Sequence, residues 1–66
     1  MSEYAVAELE DARDAIQSSI RKIEKALDTL LKRTPQPQPQ ITLAKRNLRA
    51  LRLSLSLIER ELQGIS

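Results

Sequence analysis

Cysteine and histidine are both absent from these 66 residues. Without cysteine no disulfide can staple the chain. Without either residue, zinc and haem lose their commonest ligands, and no cofactor is expected. Phe and Trp are missing as well, which leaves Tyr4 as the one aromatic side chain. Bases of single-stranded nucleic acid therefore find almost nothing to stack on. The single glycine, Gly64, excludes a glycine-rich phosphate loop. No apolar run reaches the roughly 18 residues that a membrane span needs. The first residues, Met1 to Asp14, lack the basic start and apolar run of a secretory signal, and they are too acidic for a transit peptide. The location expected from this is cytoplasmic.

What is present is aliphatic and charged. A domain this short hides only about 60% of the surface that its unfolded chain exposes. With disulfides and metals excluded, association is the remaining route to stability.

Proline punctuates the middle, in Thr34-Pro35-Gln36-Pro37-Gln38-Pro39-Gln40. Two uninterrupted segments flank it, about 3–33 and 39–63. In the first, Val6, Leu9, Ile16, Ile20, Ile23, Leu27 and Leu30 recur at steps of three and four or their sums, a helical seam broken only by Arg13. Ser2 is the expected N-cap, with Glu3 in the first turn facing the positive end of the helix dipole. Ala5, Ala12, Ser19 and Ala26 repeat every seven residues and offer small side chains for close packing. In the second segment, Ile41, Ala44, Leu48, Leu51, Leu55, Ile58, Leu62 and Ile65 keep the same rhythm without a miss. The stretch LRLSLSLI, residues 51–58, alternates like a strand, yet it lies inside this run. Leucine favours helices, and strand-forming residues are scarce here, so it reads as helix.

Leu53 and Leu57 lie off that seam. With Ala50 and Leu43 they form a second apolar stripe. The second helix is thus apolar on two faces, one closing a hairpin and the other left for a partner. The linker is too short for anything but antiparallel return, with Pro39 near the first helical position. The expected fold class is all-α, one antiparallel helical hairpin over residues 1–66, completed by self-association or by a helical partner. Folding back near residue 37 sets Leu30 against Ala44, Ile23 against Leu51 and Ile16 against Ile58.

The hairpin segregates charge. Residues 20–53 carry Arg21, Lys22, Lys25, Lys32, Arg33, Lys45, Arg46, Arg49 and Arg52 against Glu24 and Asp28, net +7. The remainder carries Glu3, Glu8, Glu10, Asp11, Asp14, Glu59 and Glu61 against Arg13 and Arg60, net −5, and together these make the whole-chain +2. Of these, Arg21, Lys22, Lys25, Lys45, Arg46, Arg49 and Arg52 are the candidate electrostatic patch. Head-to-tail pairing of two hairpins would set plus against minus. A basic end could instead meet an acidic partner or nucleic acid, but the missing aromatics argue against RNA.

No catalytic constellation is visible. Glu8, Asp11 and Asp14 lie on one helix, whereas hard cations need ligands converging from several directions. Ser54 and Ser56 have no activating base nearby. Arg13 reads as a side chain that snorkels out of the seam at the bundle end, with Glu61 as the expected ion partner. Pro-x-x-Pro never occurs, so the Pro/Gln segment reads as a stiff turn. An enzyme is not expected.

Arg49-Ala50-Leu51 and the LRLSLSLIEREL stretch resemble the second helix of the small helical-hairpin co-chaperones of type III secretion needle subunits, the YscE-like proteins. The shared features are length, a two-helix plan, a turn that can hold proline, and an Ala-Leu followed by alternating small and aliphatic residues: Ala50, Leu51, Ser54, Leu55, Ser56, Leu57 and Ile58. The likeness extends loosely to Ile23–Leu31. It implies a non-catalytic hairpin that docks on a larger helical-repeat chaperone and keeps a needle subunit from polymerising early. The partner face is then Leu43, Ala50, Leu53 and Leu57. Two alternatives stand beside it. One is a homodimeric four-helix bundle that binds RNA or DNA through its basic end. The other is a self-assembling structural hairpin.

Overall fold

The structure, a computed structural model, describes residues 4–65. Two helices account for nearly all of them: α1 (Val6–Leu31) and α2 (Gln38–Ile65). They pack along their length as a hairpin, and no strand occurs among the described residues. LRLSLSLI is helical throughout. Its serines are compatible with that, because the Ser54 hydroxyl donates to the Ala50 carbonyl at 2.9 Å, one turn back along the helix.

The helix ends differ from those expected. α1 starts at Val6 instead of residue 3, with Ala5 extended at its N-cap and no side chain capping it. The Leu9 N–H donates to the Ala5 carbonyl at 3.1 Å. Ser2 and Glu3 lie outside the described residues, and Glu8 is the first-turn anion. The described helix therefore begins where the apolar rhythm begins, with no side-chain cap.

At the other end, α1 stops at Leu31 and not at residue 33. The Lys32 and Arg33 N–H groups reach back three residues, to the Thr29 and Leu30 carbonyls at 3.3 and 3.2 Å. This tightens the last turn. The Gln36 side-chain amide then donates to the Leu31 carbonyl at 2.9 Å, and Gln38 donates to Gln36 Oε1 at 3.1 Å. The alternation of Pro and Gln thus divides the work. Proline stiffens the path, and glutamine satisfies a carbonyl that the ending helix leaves open. The Thr34–Pro35 peptide is cis.

α2 starts one residue earlier than expected. Gln38 is its first residue, so Pro39 is second. The Pro37 carbonyl accepts from the Ile41 N–H at 3.0 Å. A missing N–H is still harmless within the first turn. Gly64 does not stop the helix, which continues to Ile65. No glycine adopts a positive φ, so Gly64 sits as an ordinary helical residue and not as a terminator.

The expected seam is the core. Leu9, Ile41 and Leu48 are buried, at 3–7% exposure. Ile16, Ile20, Ile23, Leu27, Leu30, Ala44, Leu51, Leu55, Ile58 and Leu62 are half-buried between the helices. Val6, placed in the seam by its spacing, is exposed. Among the described residues no side chain is fully buried. The hairpin is a rod of 50 × 15 × 13 Å with 5336 Å² of accessible surface. A compact monomer of its 7.5 kDa mass presents about 4200 Å². About 1100 Å² more than the compact expectation therefore remains in water.

Candidate interaction face on the outer side of α2

At 100° per residue, Leu43, Ala50, Leu53 and Leu57 cluster about 145° around α2 from the seam that meets α1. They face away from the partner helix of the hairpin. All four are exposed, and the three leucines stand at 56–64% exposure, more open than Val6 or Leu31. Isolated apolar side chains on a surface need no explanation, but a continuous line of them does. The same periodicity puts Arg46, Arg60 and Glu61 on this face. The leucines are thus interrupted by one cation within the line and bounded beyond Leu57 by Arg60 and Glu61 together.

A second feature lies on one flank of the rod near the turn. Leu27, Leu31 and Leu48 floor a groove whose walls differ in sign. α1 contributes Glu24 and Asp28, and α2 contributes Lys45, Arg49 and Arg52. Across it Arg52 Nη2 donates to Glu24 Oε2 at 2.8 Å, with both side chains about half exposed. Lys32 pairs with Asp28 at 3.0 Å. The seven residues of the expected basic patch therefore occupy three sides. Lys45, Arg49 and Arg52 line the groove. Arg46 sits among the leucines. Arg21, Lys22 and Lys25 project from the outer side of α1. All seven are exposed.

Near the termini a shallow hollow is lined by Tyr4, Glu8, Leu9, Ala12 and Ile58. The small-residue repeat on α1 is used only in its middle, where Ala12 and Ser19 are half-buried while Ala5 and Ala26 are exposed. Arg13 is half-buried, but its Nε donates to Asp14 Oδ1 at 3.2 Å. The ion partner is thus the next residue in the chain and not Glu61. An arginine emerging from the seam meets its neighbour's carboxylate before any group on the other helix. Among the described residues no three carboxylates are arranged to hold a metal ion. The Ser54 hydroxyl is engaged by the Ala50 carbonyl, and Ser56 is exposed. Among the described residues no helix is long and apolar enough to cross a membrane.

Sequence reasoning missed three things: the Gln36 cap, the Glu24–Arg52 bridge and the mixed-charge groove. The bridge was readable in principle, because Glu24 and Arg52 fall on the same flank once the fold-back is fixed. No protein-family model matches the chain, and no curated protein or solved structure matches it either.

Proposed function

We propose that the chain is a non-enzymatic interaction module whose outer α2 face is covered by a helical protein in its working state. The observation that carries this reading is the line of Leu43, Leu53 and Leu57 at 56–64% exposure, on a hairpin whose own seam leaves no side chain fully buried among the described residues. Covering Leu53 and Leu57 contributes about 1.5–3 kcal/mol each as an upper range. Within this reading, the resemblance of α2 to the YscE-like hairpins directs the module to the cytoplasm. There it acts as a co-chaperone of a needle-type subunit, together with a larger helical-repeat chaperone.

A photoreactive side chain at position 53 or 57 tests the surface. Both positions should cross-link to protein in cells, whereas the same group at Lys22 or Lys25, on the outer side of α1, should not. Equal capture from all four positions would refute the reading. The finer assignment requires that a helical-repeat chaperone be among the species captured from position 53.

A further inference from the structure

We infer that a second copy of this chain occupies the outer α2 face when no other partner is bound, docked antiparallel about a two-fold axis at Ala50. This rests on reading that face as a protein-contact surface and names what covers it. Three observations point to a second copy.

The first is spacing. Leu43 and Leu57 lie seven residues to either side of Ala50. An antiparallel pair of α2 helices crossing at Ala50 sets Leu43 of each copy against Leu57 of the other. Leu43, Ala50 and Leu57 are therefore self-complementary, as an isologous interface must be, and Leu53 falls opposite Asn47. Ala50, with its small side chain, is the residue on the axis, where the backbones come closest.

The second is charge. On α2 itself the half nearer the turn carries Lys45, Arg46, Arg49 and Arg52, net +4, and the half beyond Ser54 carries Glu59, Arg60 and Glu61, net −1. Antiparallel docking lays each basic half along the acidic half of the other copy. Parallel docking would lay like charge against like along the full length. Electrostatics therefore selects the orientation, and the leucines supply the contact.

The third is area. The surface left over relative to a compact monomer, about 1100 Å² over the whole chain, exceeds the roughly 800 Å² per partner that a stable pair buries, so the rod has enough uncovered surface for such a pair.

The absence of cysteine makes the geometry testable on the whole chain, because each introduced thiol is the only one. Sedimentation equilibrium should show a dimer. Under mild oxidation Ala50→Cys should close to a covalent dimer. Leu43→Cys alone should stay unlinked, since antiparallel docking holds its two copies about 21 Å apart along the axis. Mixed with Leu57→Cys, it should cross-link. Leu57→Asp should weaken dimerisation by at least about a hundredfold, because the change occurs twice in a two-fold interface.

If the chain remains a helical monomer at every concentration while position 53 still captures protein, the second copy is not the occupant and the contact-surface reading stands. If Leu57→Asp dimerises as tightly as the unmodified chain, or if Leu43→Cys links to itself as fast as Ala50→Cys, the antiparallel pair is overturned. The former result would remove the contact surface as well.

Discussion

Arg52 reaches across the hairpin to Glu24 at 2.8 Å, and this bridge marks the register of the two helices. It joins residues on one flank of the seam, as a fold-back near residue 37 requires. Both side chains are about half exposed, so solvent screens the pair, and exposed bridges contribute less than about 1 kcal/mol. Glu24→Gln should destabilise the hairpin by no more than that, and the difference should shrink as salt is raised. A thermal unfolding series at low and high salt measures it. A loss of several kcal/mol would mean that the bridge, and not the seam, holds the helices in register.

The two faces of α2 should respond oppositely to substitution. Leu48 is buried in the seam near the turn, and truncating such a leucine to alanine costs about 2–5 kcal/mol. In a hairpin with so little buried, Leu48→Ala should abolish most of the helicity seen by circular dichroism. Leu53→Asp, on the exposed face, should leave the helicity of the isolated hairpin within about a tenth of its parent and reduce only association. If Leu53→Asp unfolds the chain as Leu48→Ala does, helix formation itself depends on the second face being covered.

The turn should be sensitive at one glutamine. Gln36 donates to the Leu31 carbonyl and accepts from Gln38. Gln36→Ala should lose about 0.5–1.5 kcal/mol, the net worth of such a bond. Gln40→Ala, outside this relay, should be nearly neutral. Equal effects from the two substitutions in chemical denaturation would remove Gln36 as the cap of α1.

Gly64 offers a gain. It is helical, without a positive φ, and a methyl group there would meet nothing within 4 Å. Gly64→Ala should stabilise α2 by up to about 1 kcal/mol by removing the entropic cost of helical glycine. The midpoint of thermal unfolding reports it, and a decrease would show that the last turn of α2 is not helical in solution.

Much of the fold was legible because the seam repeats. Leu9 through Leu30 and Ile41 through Leu62 define two helices and their packing from spacing alone, and LRLSLSLI resolves as helix once its leucines are counted into that rhythm. The outer stripe was legible for the same reason: Leu53 and Leu57 cannot join the seam at 100° per residue. The ends were not. Gly64 carries a terminal signal in its residue type, yet α2 runs past it, and the described α1 has Ala5 at its N-cap with no side-chain cap. Local preferences there amount to about 1 kcal/mol, too little for one residue type to fix where a helix ends. The basic residues misled as a group, since net charge per segment ignores which side of a helix each residue leaves from. The identity of a partner is not encoded in one chain's surface, which specifies only shape, polarity and charge.

The central claim is that Leu43, Leu53 and Leu57 are withdrawn from water when the protein is assembled. Solvent paramagnetic relaxation of leucine methyl groups, measured on the full chain across a dilution series, tests it most directly. The account predicts that these three methyl pairs are shielded as strongly as Leu48 at high concentration and become relaxed by the probe on dilution, while Leu48 stays shielded throughout. Methyls of Leu53 and Leu57 that remain fully relaxed at every concentration, with the helices intact and with the photoreactive chain capturing nothing from position 53, would contradict it.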